Sequence, residues 1–182
     1  VNHSFEIFKQ IDFYESLWNG KPSVYRDYKT TKENVLSLQA FIHSQKKDLS
    51  LTHIDAVPDN FLIYKDSDGN EKISLIDWEY AGMQDPHVDI AMFCIYSLYD
   101  KVHIDNLIET YFKVSGKKID ENTRTKIYCY VAACGLLWSN WCEYKSTLGV
   151  EFGEYSLLQY RYAKDFYKIV KERIGSSAVQ PE

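Results

Sequence analysis

With 182 residues, 45% of them hydrophobic, the chain is long enough to bury the core of one domain. Its formal net charge of −5 and its lack of a basic stripe argue against a nucleic-acid partner, and no apolar run approaches the roughly 20 residues of a membrane span. The four cysteines form no C-x-x-C pair and lie among apolar residues, which indicates buried thiols of a cytoplasmic protein rather than disulfides or a zinc site.

Two helices are predicted in the first fifty residues. Apolar residues recur at helical spacing from Phe5 to Trp18, and a second periodic stretch covers roughly residues 32–47. Both stretches combine an apolar face with a polar one, so we expect them to pack against a core.

A polar motif of the form H-x-D-x-x-x-x-N follows the second helix, with His53, Asp55 and Asn60 at its fixed positions. Pro58 lies inside the motif and disfavours a helix, so the segment is predicted to be a loop. A loop allows both polar side chains to reach one phosphate, with the Asp55 carboxylate positioning or deprotonating an attacking hydroxyl. Taken singly, Asp55 could equally be a helix cap and Asn60 a turn residue.

A β-hairpin is predicted directly after this loop. Residues 61–64 and 73–76 have the pattern of strands, and the turn between them contains a glycine. Because a hairpin brings its ends together, Asp77 is expected beside Asn60, where oxygen ligands suit Mg²⁺. Loop, hairpin and Asp in this order are what phosphoryl transfer from a nucleotide requires. We expect His53 to hydrogen-bond the backbone near Asp77 and not to bind metal.

Helices are predicted for most of the remaining chain. Apolar periodicity and glycine breaks place them over roughly residues 88–99, 104–115, 121–144 and 155–173. The tail over residues 175–182 is small and polar, and we expect it to be disordered.

Aromatic residues make up 15% of the chain. Trp138 and Trp141 are three residues apart and therefore share one face of a predicted helix. Quaternary ammonium groups bind inside aromatic cages through cation–π attraction, at about 0.5–2 kcal/mol per ring. The two tryptophans could wall such a site, and they could equally be core residues of an amphipathic helix.

The motifs resemble the choline/ethanolamine kinase family. The resemblance is carried by residues 51–60, by Asp77-Trp78-Glu79-Tyr80-Ala81-Gly82 and by Asp85-Pro86-His87-Val88-Asp89-Ile90-Ala91. It extends over nearly the whole chain and is strongest to bacterial members that phosphorylate choline. The family belongs with the aminoglycoside phosphotransferases in the wider protein-kinase-like fold.

The resemblance implies a role for each matched residue around the motif. Asp55 would be the catalytic base, and Asn60 and Asp77 would bind Mg²⁺ in a reaction that uses ATP. Asp89 would brace the catalytic loop from the following helix. Glu79 would contact either a second metal ion or the substrate.

The resemblance also implies a substrate pocket for choline or a similar amino alcohol. Trp138 and Phe152 match pocket positions of the family, whereas Trp141 is proposed from its spacing alone. Tyr96 stands where animal choline kinases carry a pocket glutamate, and we expect it to contact the substrate.

The expected fold is α+β and mainly α, as in the C-terminal lobe of a protein-kinase-like fold with helices around a small catalytic hairpin. We expect this lobe to cover residues 1–174, with the catalytic loop and metal site in 51–82 and the pocket helices in 86–174. No glycine-rich loop and no strand-borne lysine precede His53. We therefore expect this piece to be a fragment of a longer parent protein whose N-terminal lobe is absent here, we expect that lobe to be its partner in the active enzyme, and we expect the piece alone to be inactive.

Two other functions remain open. An aminoglycoside-type antibiotic kinase would share the catalytic residues, but its multiply charged substrate favours a pocket lined with carboxylates rather than tryptophans. A non-catalytic kinase-like binding module would usually have lost Asp55, Asn60 or Asp77, and all three are present.

Overall fold

The computed structural model describes residues 3–177, which form a mainly helical α+β fold, as the sequence predicts. The helices are α1 (Ile7–Ser16), α2 (Tyr28–Ser44), α3 (His87–Tyr96), α4 (Lys101–Ser115), α5 (Glu121–Thr147) and α6 (Glu154–Ser177). The strands are β1 (Ser50–Thr52), β2 (Phe61–Lys65), β3 (Glu71–Leu75) and β4 (Gly82–Gln84).

The end of α6 differs from the prediction for the tail. The helix continues through residues 175–177, which we expected to open a disordered tail. The hydroxyl of Ser176 donates a hydrogen bond of 2.7 Å to the carbonyl of Glu172, one helical turn earlier. The rest of the expected tail, residues 178–182, lies outside the described residues.

Helix α5 lies at the centre of the fold and contacts α1, α2, α3 and α6. Its residues 125–137 are buried without a break, so this part of the helix is covered on all sides. At Gly135 a Cβ atom would lie 2.6 Å from Cβ of Tyr162, so the lack of a side chain permits the close approach of α6. Between residues 3 and 177, no helix is both long and apolar enough to cross a membrane.

The predicted β-hairpin is present as the antiparallel pair β2–β3, from Phe61 opposite Leu75 to Lys65 opposite Glu71. Its turn is closed by Asp66, whose carboxylate accepts backbone hydrogen bonds of 3.0 and 2.9 Å from residues 68 and 70. The glycine of this turn has φ +82°, a conformation that other residues rarely adopt.

A second small sheet was not predicted. Strand β1 pairs antiparallel with β4, and Thr52 lies opposite Gly82. The Thr52 hydroxyl adds a hydrogen bond of 2.8 Å to the Gly82 carbonyl, and Ser4 bridges to Met83 in parallel. This sheet connects the start of the motif loop to the segment that leads into α3.

The four cysteines are free and buried, which confirms the prediction of buried thiols. Cys94 lies on α3, and the other three lie along α5. Burial raises the pKa of Cys94, Cys129 and Cys142 to about 12, and it raises the pKa of Cys134 further.

Candidate active site

The motif loop is held in a strained conformation by a carboxylate from α3. Ile54 has φ +70°, which is unfavourable for a β-branched side chain. The two oxygens of Asp89, in the first turn of α3, accept hydrogen bonds of 2.9 Å from the His53 amide and 2.8 Å from the Ile54 amide. Each oxygen of the carboxylate thus fixes one peptide of the loop, as the bracing role that the resemblance implies for Asp89 would require.

Asn60 and Asp55 are joined by the amide group of Asn60. Its Nδ2 atom donates hydrogen bonds of 2.9 Å to the Asp55 carbonyl and 3.3 Å to Oδ2 of the Asp55 carboxylate. Asn60 ends a 3₁₀ turn that begins at Pro58, so the predicted loop includes one short helical turn. Because the amide nitrogen faces Asp55, the amide oxygen is left to face another group.

The hairpin places Asp77 next to this pair. The amide of Ile76 donates a hydrogen bond of 3.0 Å to the carbonyl of Asn60. Nε2 of His53 lies 2.8 Å from the Ile76 carbonyl, so the hydrogen bond expected for His53 is present. The Trp78 ring packs edge-on against the His53 ring at 4.7 Å between centroids. Asp77 itself has φ +62° and an exposed side chain.

Tyr80 lies among these carboxylates, although the sequence did not single it out. Its pKa is raised by burial first, and then by the negative charges of Glu79, Asp55 and Asp77. The signal was its position three residues after Asp77, within the matched motif. The charges of Asp55, Asp77 and Glu79 thus all act on the Tyr80 hydroxyl.

The donor set of this patch fits a magnesium ion rather than a zinc ion. In the part of the chain that the structure describes, no group of three or more His, Cys, Asp or Glu side chains is arranged to hold a metal. Mg²⁺, however, is usually held by one or two protein oxygens, with waters and phosphates completing its coordination. The Asn60 amide oxygen and the exposed carboxylates of Asp77 and Glu79 are hard oxygen donors of that kind.

The aromatic residues predicted for the substrate pocket form one continuous cluster. Tyr96 and Trp138 pack edge to face at 4.8 Å, and Trp138 and Trp141 stack at 4.9 Å with only 7° between their planes. Phe152 lies 5.4 Å from Trp141, and Tyr155 lies 6.5 Å from Phe152. The structure thus brings together residues from α3, from α5, from the segment before α6 and from the first turn of α6.

Two tyrosines connect this aromatic cluster to Asp55. The Tyr96 side chain is buried, and burial followed by the Asp55 charge raises the pKa of Tyr96 well above its ordinary value. Burial also raises the pKa of Tyr155 to about 12, with a smaller contribution from Asp55. The charge of Asp55 therefore acts on two tyrosines of the cluster.

Comparison with known sequences identifies relatives over most of the chain. A model of the choline/ethanolamine kinase family matches residues 4–134. Protein LicA of Haemophilus influenzae is 31% identical over 159 residues, covering 84% of this chain and 57% of that protein. A second H. influenzae protein LicA is 32% identical over 161 residues, which cover 84% of this chain and 45% of that protein. The chain therefore spans about half the length of the curated relatives it matches.

Solved structures of related proteins superpose on most of the chain. Choline kinase LicA from Streptococcus pneumoniae superposes with a TM-score of 0.74 at 28% identity, covering 93% of this chain and 57% of that one. A structure of LicA in complex with AMP gives a TM-score of 0.75 at 28% identity, with coverage of 93% and 56%. Plasmodium vivax ethanolamine kinase, at 15% identity and a TM-score of 0.67, shares the fold and covers 95% of this chain and 52% of that one.

Proposed function

The chain belongs to the choline/ethanolamine kinase family, and from that premise we propose that its protein transfers the γ-phosphate of ATP to the hydroxyl of choline. The observation that carries this proposal is the position of Asp55. Its carboxylate is bonded to Asn60 on one side and influences Tyr96 and Tyr155 of the aromatic cluster on the other. Asp55 would thus activate the hydroxyl of a molecule whose ammonium group the aromatic rings would hold.

Asp55 would act on the hydroxyl of the substrate. Its Oδ2 atom accepts a hydrogen bond from Asn60, which fixes the carboxylate and leaves Oδ1 to accept the hydroxyl proton. Orientation and proton acceptance of this kind raise the rate by a factor of about 10²–10⁴. The strained loop, held by both oxygens of Asp89, keeps this carboxylate in position before any ligand binds.

Asn60 and Asp77 would hold Mg²⁺ and orient the phosphates of ATP. The Asn60 amide is turned so that its oxygen is available, and the Asp77 carboxylate is exposed beside it. When bound, Mg²⁺ supplies positive charge that neutralises the phosphate oxygens. Glu79, two residues after Asp77, would contact either a second metal ion or the substrate.

The aromatic cluster would bind the trimethylammonium group of choline. This group cannot donate hydrogen bonds, so it depends on ring faces and apolar contact. Tyr96 stands where the resemblance implies a glutamate in animal choline kinases, and its buried hydroxyl leaves the cluster without a formal negative charge there. Ethanolamine, whose ammonium donates hydrogen bonds, would gain less from such a cluster than choline does.

This aromatic character favours choline over an aminoglycoside, which carries several ammonium groups and needs carboxylates to pair with them. The hydrogen bonds between Asn60 and Asp55, together with the presence of Asp77 directly after Ile76, which is bonded to Asn60, favour catalysis over a non-catalytic binding role. The buried, free thiols are typical of a reducing compartment, and we propose the cytoplasm as the site of the reaction.

A coupled kinase assay on the full-length gene product tests the proposal. We expect turnover with choline, less with ethanolamine and none with an aminoglycoside panel. Asp55→Ala should lower kcat about 10²–10⁴-fold, because general base catalysis contributes that much, and should leave the Kd for ATP unchanged.

The matched control is Asp59→Ala, which removes an exposed carboxylate from the same loop and should retain wild-type turnover. Wild-type kcat in the Asp55→Ala enzyme would refute the assignment of the base. Preference for an aminoglycoside would refute the assignment of the substrate.

A further inference from the structure

A lysine of the chain itself occupies one face of the aromatic cluster. Nζ of Lys145 lies 5.4 Å from the centroid of the Trp141 ring and 5.9 Å from that of Tyr144. These distances are within the range of cation–π contacts. The cluster that we propose for the ammonium of a substrate thus already contains a positive charge.

The positions along α5 show which face of Trp141 this charge covers. Trp138 precedes Trp141 by three residues and Lys145 follows it by four, so all three lie in one row along the helix. Trp138 stacks on Trp141 from the N-terminal side, with 7° between the two planes. Lys145 therefore lies on the opposite, C-terminal side, and the indole of Trp141 is enclosed between a ring and an ammonium.

The enclosure limits where a substrate ammonium can bind. Trp141 has no face left for it unless Lys145 moves, whereas Trp138 and Tyr96 lie on the side towards Asp55. A substrate cation bound on that side would share the aromatic stack with Lys145. Like charges separated by a polarisable stack repel each other, and each additional charge on the substrate adds to the repulsion.

Among the residues that the structure describes, no acidic side chain forms an ion pair with Lys145. None of the ion pairs between residues 3 and 177 includes Lys145. Its contacts with the two rings place the ammonium against apolar surface, where its field is screened less than in bulk water.

We propose that Lys145 sets the charge selectivity of the aromatic cluster, by weakening the binding of cationic ligands and by weakening it more for those with more than one positive charge. The inference rests on the proposed function, because it assumes that the cluster binds an ammonium group. At a separation of roughly 10 Å, the repulsion corresponds to about two- to tenfold in affinity for each positive charge of the ligand.

A different role for Lys145 would be structural. The residue lies in the last turn of α5, where a positive charge stabilises the end of a helix. That role predicts a lower melting temperature when the charge is removed. It predicts no change in the preference between charged and neutral ligands.

The test compares Lys145→Met, which keeps an aliphatic side chain over the rings, with Lys145→Arg, which keeps the charge. Choline and its neutral isostere 3,3-dimethylbutan-1-ol are assayed as substrates of the full-length gene product, and a bis-quaternary ammonium compound is assayed as an inhibitor. We expect kcat/KM for choline to rise about two- to tenfold in Lys145→Met, while the value for the isostere stays within about twofold. The bis-quaternary inhibitor should gain more than choline does, and Lys145→Arg should behave as wild type.

An equal change, or no change, for choline and the isostere would overturn the inference, and a lower melting temperature with that result would assign Lys145 to the helix end. If the wild-type protein does not phosphorylate choline at all, the proposed function fails, and the inference fails with it. The two failures are distinguishable because the second is seen before any variant is made.

Discussion

Removal of the Lys126 ammonium should be among the most destabilising single changes in this chain. Lys126 extends from the central helix α5 and is only 3% exposed. Its Nζ atom lies 2.6 Å from Oδ2 of Asp85, which is 1% exposed, and it donates a hydrogen bond of 2.8 Å to the carbonyl of Lys46. One buried ammonium thus holds together α5, the segment after α2 and the start of α3.

The magnitude follows from what Lys126→Met would leave behind. Asp85 would keep its charge in a buried site, with the Tyr130 hydroxyl at 3.3 Å as the nearest remaining side-chain donor to the same oxygen. The loss of one partner from a buried ion pair costs about 3–5 kcal/mol. A domain of this size is stable by about 5–15 kcal/mol in total, so the variant should remain folded only with a much reduced margin.

Urea denaturation followed by circular dichroism measures this loss. Lys164→Met is the matched control, because Lys164 pairs with Asp27 in a site where both side chains are more than 40% exposed. Its effect should be below about 1 kcal/mol. The double variant Lys126→Met/Asp85→Asn removes both charges and should recover a large part of the stability.

The pH dependence of the loss gives a second check. Burial lowers the pKa of His87, the Asp85 charge opposes this, and Lys126 lowers the pKa further. In Lys126→Met the pKa of His87 in the folded state rises, so the folded state binds a proton more readily as the pH falls. The free energy of unfolding that Lys126→Met loses relative to the wild type should therefore be smaller at about pH 5.5 than at about pH 7.5. A loss below 1 kcal/mol, or a double variant no more stable than the single one, would refute the reasoning.

Three further predictions concern the site and the core. Trp138→Ala should lower kcat/KM for choline about five- to thirtyfold with a smaller effect on ethanolamine, and an unchanged KM with a lower melting temperature would make Trp138 a core residue. Asp89→Asn should cost about 1–3 kcal/mol in urea denaturation and should lower kcat, because an amide cannot accept from both loop amides; wild-type stability would argue against the bracing role. Gly135→Ala should cost about 1–3 kcal/mol, because the new Cβ would lie 2.6 Å from Cβ of Tyr162, and a neutral effect would show that α6 can move away.

The local elements of the site were accessible from the sequence. Pro58 predicted the loop, the glycine-containing turn predicted the hairpin, and apolar periodicity predicted the helices, since each of these signals acts over a few residues. The hairpin then fixed the position of Asp77 beside Asn60, because a short antiparallel pair leaves little choice of register.

The long-range contacts were not accessible in the same way. Strands β1 and β4 are three residues long, which is too short for an alternating pattern to appear. Lys126 reads as a surface residue of a helix, since its burial depends on a partner 41 positions earlier in the chain. Lys145 gave no signal either, because the row that it forms with the two tryptophans has meaning only after the cluster is assembled.

The cysteines in the helical core connect chemical reactivity to motion. A thiol reacts as its thiolate, and burial opposes both ionisation and the access of a reagent, so modification requires the surrounding helices to separate. The rate of labelling by a water-soluble thiol reagent therefore reports the frequency of such openings. Because Cys94 lies on α3 and Cys129, Cys134 and Cys142 are distributed along α5, the order in which they react would show which part of the core separates first.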